Sequence, residues 1–143
     1  MTADIAAIKD DLAFLDDWDE RYRYIIDLGR TLSPLSEGEH DERFKVRGCA
    51  SQVWLISSGD GRTPPHLTFR GDSDAHIVKG LVALTIALFS GRSAVEILKT
   101  DAGAFFAEIG LKDHLTPQRS NGLASMVERI KRDAHQALAA SVP

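Results

Sequence analysis

The residue in this chain best suited to chemistry is its single cysteine, Cys49, within the stretch FKVRGCASQVWL. A lone thiol cannot close an internal disulfide, and without a second cysteine the chain has no CxxC zinc or redox motif. Any covalent chemistry of Cys49 must therefore involve another molecule. The alternative is a small core residue, because free cysteines are among the most buried residue types.

The position of Cys49 favours chemistry over packing. Gly48 permits an unusual backbone conformation, and the thiol lies where a polar loop enters a strand, a place where functional groups are often presented. A nucleophile would need its thiolate stabilised by positive charge or hydrogen-bond donors, which Lys45, Arg47 and the distant Arg119 could supply. No histidine is adjacent in sequence, so a Cys/His enzyme stays open without support from spacing.

The other groups that could do chemistry fit structural roles better. The five histidines show no HxxH or HExxH spacing, so no metal site is expected. The GDGR stretch at residues 59–62 fits a hairpin turn better than a phosphate loop. Asp72 and Asp74 are expected to cap a helix, unless their loop lies beside Cys49.

Composition and charge are those of one ordinary domain. The 143 residues are 43% hydrophobic and 27% charged, so we expect residues 1–143 to form a single domain with a sizeable core. The net charge of -4, without a dense basic run, argues against nucleic acid as a partner. The longest apolar stretch has 11 residues, against about 20 needed to cross a bilayer. No membrane partner is expected, and the acidic N-terminal segment lacks a signal-peptide pattern, which favours a cytoplasmic location.

Two amphipathic helices are predicted ahead of the cysteine. Thr2 is the expected N-cap of the first helix, whose apolar residues recur at helical spacing as far as Leu15. The second helix is predicted over residues 19–32 and ends before Pro34. Residues 33–43 are polar, acidic and without periodicity, which is typical of a loop.

A small sheet should follow, because the apolar period changes from residue 44 onward. Residues 44–47 alternate in polarity, residues 51–57 are rich in strand formers, and residues 66–71 form a further candidate strand. These segments predict an antiparallel sheet of about three strands.

Helices are predicted again after the sheet. A helix that is apolar on two adjacent faces must be central, and three side chains before it offer capping oxygens: Asp72, Ser73 and Asp74. Ser93 begins a short helix with capping-box spacing, another covers residues 102–108, and Thr116 with Pro117 begins a long last helix. The order of elements indicates an α+β fold with several helices packed against the sheet.

Four blocks of sequence follow one another along most of the chain: DERYRYIIDLGRTL from Asp19, GCASQVWL around Cys49, GDSDAHIVKGLVAL from Gly71, and LTPQRSNGL from Leu115. Together, in this order and at these separations, they resemble the SufE family of sulfur-acceptor proteins in iron-sulfur cluster assembly. The resemblance implies a SufE/IscU-like version of the α+β fold.

The resemblance implies a sulfur shuttle. A SufS-like, pyridoxal-phosphate cysteine desulfurase would hold sulfur as a persulfide, Cys49 would take it as its own persulfide, and a SufBCD-like iron-sulfur scaffold complex would receive it. The chain would stimulate the desulfurase rather than act as an independent enzyme, and would carry no cofactor or metal of its own. A lone thiol suits this exchange, because a nearby second thiol would resolve the persulfide as a disulfide.

The resemblance also implies supporting residues around Cys49. Gly48 and Ser51 belong to the same block, while Asp74 and Arg119 match family positions near the cysteine, where they would hold its loop or meet the partner.

Cys49 should be shielded from solvent, because an exposed persulfide is lost to any small thiol. We expect Cys49 in a partly apolar pocket lined by residues such as Val46, Val53 and the central helix. Its loop should move outward when the desulfurase docks.

Two other classes of function stay open. A thiol enzyme, such as a small cysteine hydrolase, would require a histidine within hydrogen-bond reach of Cys49. An interaction module would use Cys49 as a structural residue only.

Overall fold

The computed structural model describes residues 4–141, in which helices precede and follow a small antiparallel sheet. The elements in chain order are α1 (Ile5–Phe14), α2 (Trp18–Arg30), β1 (Val53–Gly59), β2 (His66–Ser73), α3 (His76–Phe89), β3 (Arg92–Ser93), α4 (Ala94–Lys99), α5 (Ala102–Glu108) and α6 (Pro117–Ser141). The predicted α+β class, with three antiparallel strands and several helices, is confirmed. In the part of the chain that is described, no helix combines the length and apolar character that crossing a bilayer requires.

The two N-terminal helices form where their apolar spacing predicts them. The predicted cap Thr2 lies outside the described residues, and Asp4 acts as N-cap of α1 by accepting a hydrogen bond from the Ala6 amide at 3.0 Å. Helix α2 ends at Arg30, slightly before the predicted end, because the Thr31 amide turns back to the Leu28 carbonyl.

The sheet differs from the prediction in its third strand. Strands β1 and β2 pair with Val53 opposite Ser73 and Gly59 opposite Leu67, as a hairpin requires. The predicted strand at residues 44–47 is wrong, since Glu42–Phe44 form a 3₁₀ turn and only Lys45 bridges to β1. The third strand is instead the two-residue β3, which is too short to leave a period-two pattern in the sequence.

Helix α3 is the centre of the core, as its double apolar stripe predicts. Eleven of its residues are buried, and it packs against α2, the sheet and α6. Glycine allows α2 and α3 to meet backbone to backbone. A Cβ atom at Gly29 would lie 2.8 Å from the Gly80 amide nitrogen, and one at Gly80 would lie 2.7 Å from the Ile25 carbonyl carbon.

The predicted capping of α3 is wrong. Strand β2 continues to Ser73, and the N-cap of α3 is Ala75, without a side-chain hydrogen bond. The oxygens expected to cap the helix are bonded elsewhere, and Asp74 accepts a hydrogen bond from the Gln52 amide at 3.1 Å. That amide directly precedes β1, so Asp74 ties two segments of the chain together.

The predicted starts of α4 and α6 are confirmed. The Ser93 hydroxyl accepts a hydrogen bond from the Glu96 amide at 3.1 Å, and Thr116 accepts one from the Arg119 amide at 3.2 Å. Pro117 is the first residue of α6, where its missing N–H costs no helical hydrogen bond. These caps fix the first turn of the long helix that backs the cysteine.

The acidic loop ahead of the cysteine is fastened to the sheet by His40. Its Nε2 lies 2.8 Å from Asp72 Oδ2, its Nδ1 lies 2.8 Å from the Ser36 carbonyl oxygen, and its ring meets Trp54 edge to face. The hydrogen bond to Asp72 raises the pKa of His40 above its ordinary value of 6.5, and Lys79 lies 3.4 Å from the other oxygen of the same carboxylate.

We expect this contact to make stability depend on pH. Because folding raises the pKa of His40, its contribution is fully present below the unfolded pKa and is lost as pH rises through the folded value. Urea unfolding should give a higher free energy at about pH 6 than at about pH 8, and His40→Gln should flatten that difference. An NMR titration that placed the pKa of His40 at or below 6.5 would contradict this expectation.

Candidate functional site

Cys49 lies at the tip of a short loop, residues 47–51, which we call the cysteine loop. The Val46 amide donates to the Val53 carbonyl at 2.8 Å, so the two ends of the loop are joined across its base. Val46 and Val53 are both buried, which anchors that base in the core. The loop therefore projects from a fixed base toward helix α6.

Gly48 is required by both backbone geometry and space. Its φ is 88°, in the left-handed region that side chains other than glycine rarely adopt. A Cβ at this position would lie 2.5 Å from Ser125 Oγ on α6. Glycine therefore lets the backbone turn just before Cys49 and press against the helix.

The Cys49 side chain is partly buried against α6. Its thiol donates a hydrogen bond to the Gly122 carbonyl, with 3.5 Å between sulfur and oxygen. Gly122 leaves this approach open, since a Cβ there would lie 3.6 Å from Cys49 Sγ. Burial raises the pKa of the Cys49 thiol, so the resting loop favours the neutral thiol over the thiolate.

A pocket of about 210 Å³ adjoins Cys49, and we call it the cysteine pocket. Its wall is apolar where α3 and α6 contribute Val78, Leu81 and Met126, and polar toward the first turn of α6. The expectation that the central helix lines this pocket is correct. Val46 and Val53 do not line it, because they are buried at the base of the loop.

The cations near Cys49 in sequence do not favour its thiolate in this conformation. Lys45 and Arg47 both pair with Glu42, at 3.8 and 3.0 Å, rather than with sulfur. Arg119 lies on the first turn of α6, is exposed, and lines the cysteine pocket.

The remaining residues singled out from sequence lie around the same loop. Ser51 lines the cysteine pocket together with Cys49 and Arg119. Asp74 lies at the exit from the loop, where its carboxylate accepts from the Gln52 amide and its own amide donates to the Gln52 carbonyl at 3.3 Å. The fold thus brings together segments that are far apart in sequence.

The roles of two residues at this site were not predicted from the sequence. Gly122 is the acceptor for the thiol, and a glycine inside a helical pattern is the sequence signal of close packing. Arg129 donates to the carbonyls of Arg43 and Lys45, at 3.5 and 3.1 Å. From the sequence alone, an arginine on a helix that binds backbone carbonyls cannot be told from one that is simply exposed to solvent.

Neither a Cys/His pair nor a metal site forms around Cys49 in the part of the chain that the structure describes. No histidine lines the cysteine pocket, so the pairing required for a Cys/His hydrolase is not formed there. Among residues 4–141, no group of three or more His, Cys, Asp or Glu side chains is arranged to hold a metal ion.

We expect the Cys49 thiol to react slowly with alkylating reagents in the folded protein. A raised pKa leaves less thiolate at any given pH, and the thiolate is the reactive form. Iodoacetamide should alkylate the native chain more slowly than the urea-unfolded chain, with a pH midpoint above that of the unfolded chain. Equal rates and midpoints in the two states would contradict the shielded geometry.

The fold and the site together define an α+β protein that presents one shielded thiol on a short loop beside a small pocket. The SufE family model, described as an Fe-S metabolism associated domain, matches residues 6–134. An uncharacterized SufE-like protein of Rhizobium meliloti strain 1021 is 53% identical over 134 residues, covering 93% of this chain and 96% of its own length. A SufE-like protein of Rhizobium etli is also 53% identical, covering 92% of this chain and 90% of its own length. The chain belongs to the SufE family.

A solved structure with a similar fold supports the assignment of the fold. The solution structure of a hypothetical protein from Thermus thermophilus is similar, with a TM-score of 0.75 and coverage of 94% of both chains. At 20% sequence identity, this likeness concerns the arrangement of helices and strands alone. Family membership associates the chain with iron-sulfur metabolism.

Proposed function

We propose that this protein accepts sulfur from a cysteine desulfurase on Cys49 and delivers it to an iron-sulfur cluster assembly scaffold. The Cys49 thiolate attacks the terminal sulfur of the persulfide on the desulfurase. A sulfur–sulfur bond forms at Cys49 while the one on the desulfurase breaks, and the desulfurase thiolate leaves. The proton lost by the Cys49 thiol is balanced by the one that the leaving thiolate takes up, and no external oxidant or reductant is needed.

The observation that carries this proposal is a single, shielded thiol on a projecting loop in a SufE-family chain. Partial burial and a raised thiol pKa protect Cys49 from oxidation at rest. The same burial blocks an attack on a large partner, because the sulfur faces α6 rather than the surroundings. Transfer therefore requires the cysteine loop to swing outward, which also restores an ordinary thiol pKa.

The positions of the residues around Cys49 indicate how each would support this transfer. Gly48 gives the loop its sharp turn, and Asp74 holds the exit of the loop through the Gln52 amide. Arg119 and Ser51 lie at the edge of the cysteine pocket, where a docked partner would meet them first. The chain acts as a carrier and activator in the cytoplasm, and the pyridoxal phosphate belongs to the desulfurase.

Transfer of labelled sulfur tests this function. The protein is incubated with a cysteine desulfurase and cysteine labelled with ³⁵S, and is then separated on a non-reducing gel. The label should migrate with this chain, disappear after dithiothreitol, and be absent from Cys49→Ser. If a desulfurase of proven activity transferred no label to the wild-type chain, the proposal would be wrong.

A further inference from the structure

Arg129 links helix α6 to the backbone that enters the cysteine loop. Its Nη1 donates to the Lys45 carbonyl at 3.1 Å and its Nη2 to the Arg43 carbonyl at 3.5 Å. Its Nε donates to Asp133 Oδ1 at 3.3 Å, one helical turn further along. We propose that Arg129 is a positioning residue that holds the cysteine loop in its resting place and thereby sets how often Cys49 is exposed.

The chemistry of this contact requires an arginine. The guanidinium is a planar fork whose N–H groups point in fixed directions, so one side chain can hold a carboxylate and two carbonyls at once. The side chains of Arg129 and Asp133 are only 14% and 13% exposed, so water competes weakly for these bonds. A lysine here could keep the charge beside Asp133 but could not satisfy the same three acceptors.

The contact is placed where it controls the loop. The Lys45 carbonyl lies two residues before residue 47, where the loop begins, and Asp74 holds the Gln52 amide at the other end. Between these two points, in the part of the chain that the structure describes, no backbone-to-backbone hydrogen bond involves residues 47–51. Among the described residues, the loop itself is held by side-chain contacts: the thiol of Cys49 on Gly122, the close approach of Gly48 to Ser125, and the exposed ion pair of Arg47 with Glu42.

The ends of the loop therefore bear most of the restraint on Cys49. A weak thiol hydrogen bond at 3.5 Å cannot fix the loop by itself. If the hold of Arg129 on the segment that enters the loop is loosened, the backbone after Val46 can pivot more easily and the exposed state of Cys49 gains population.

The first experiment measures the exposure of Cys49 in the isolated protein. The test variant is Arg129→Lys, which keeps the positive charge beside Asp133 but removes the fork. The matched control is Arg132→Lys, the same change three residues along α6 at an exposed arginine. Both variants are alkylated with iodoacetamide, a neutral reagent that surface charge neither attracts nor repels, and their rates are compared with the wild type.

We expect Arg129→Lys to raise the alkylation rate of Cys49 by about tenfold, as the loss of a hydrogen bond from a charged donor would. Arg132→Lys should stay within about twofold of the wild type, as expected for a surface change. The increase should be nearly independent of low urea concentrations, because local opening exposes little surface. If Arg129→Lys does not fold, Asp133→Asn, which weakens the orientation of Arg129, should give a smaller increase of the same kind.

Two results would overturn the proposal. One is an alkylation rate of Arg129→Lys equal to that of Arg132→Lys. The other is an increase that rises with urea as steeply as global unfolding does, since this would show a general loss of stability rather than release of the loop.

A second readout rests on the proposed function and separates positioning from a merely structural role. If the desulfurase must meet the loop in its outward state, a larger population of that state lowers the half-saturating concentration of this protein by about the same factor. The maximal rate of sulfur transfer should be unchanged in Arg129→Lys. A raised half-saturating concentration would count against Arg129 as a restraint on the loop, whereas absence of transfer to the wild-type protein would count against the proposed function alone.

Discussion

Cys49→Ser is expected to return a stimulated cysteine desulfurase to its basal turnover. A serine hydroxyl cannot form the sulfur–sulfur bond that takes sulfur from the desulfurase, so its persulfide would accumulate and block the next cycle. The expected loss of stimulation is complete, because the chain has no second thiol to substitute. Turnover is measured as alanine formed from cysteine over a range of concentrations of this protein.

The control for this variant is to show that it folds as the wild type does. Serine can donate to the Gly122 carbonyl as the thiol does, so the thermal midpoint and the circular dichroism spectrum should match those of the wild type. The variant should also compete with the wild type for the desulfurase, because its docking surface is intact. Full stimulation by Cys49→Ser would mean that docking alone activates the desulfurase, and Cys49 would then not be the sulfur acceptor.

Gly80→Ala is expected to destabilise the fold more than other single-methyl additions in this chain. The new Cβ would lie 2.7 Å from the Ile25 carbonyl carbon, and neither helix backbone can move without disturbing the core. Overpacking of this kind costs about 3 kcal/mol of unfolding free energy. Urea unfolding, followed by circular dichroism, measures the loss.

Gly103→Ala is the matched control, since it is also a helical glycine. The nearest atom to its new Cβ would be Asp101 Oδ1 at 3.5 Å, an ordinary contact distance. Alanine is the better helix former, so this variant should gain up to about 1 kcal/mol. Equal effects of the two substitutions would show that the backbone contact between α2 and α3 is not as close as described.

Much of the fold could be predicted from the sequence because its signals are local. The double apolar stripe of α3 and the capping residues Ser93 and Thr116 act within a few residues of where they stand. The errors arose where tertiary contacts decided the outcome. Residues 44–47 alternate like a strand, yet a 3₁₀ turn closed at Lys45 and the left-handed Gly48 leave only one bridge.

At the candidate site, too, local features could be predicted from the sequence and features that depend on tertiary packing could not. The lone cysteine and the preceding glycine mark the loop in the sequence, and the resemblance points to Asp74 and Arg119. The environment of the thiol could not be predicted, because it depends on how α6 packs across the loop. Gly122 and Arg129 are far from Cys49 in sequence and reach its loop only through that packing. Lys45 and Arg47, although close in sequence, are engaged by Glu42.

The shielding of Cys49 fits the proposed function, in which the thiol is protected at rest and reacts only when its loop moves. At rest the sulfur faces the Gly122 carbonyl and its raised pKa keeps it protonated. Docking of a desulfurase would turn the loop outward, and only then would an ordinary thiolate become available. Control of the reaction would thus reside in the position of the loop rather than in a permanently activated nucleophile.

The most direct test of this account is the mass of the chain after brief incubation with a cysteine desulfurase and cysteine, under non-reducing conditions, with peptide mapping of the product. The account predicts a gain of one sulfur atom, located on the peptide that contains Cys49, removed by dithiothreitol and absent from Cys49→Ser. An unchanged mass beside a desulfurase that is turning over, or added sulfur on any other peptide, would contradict it.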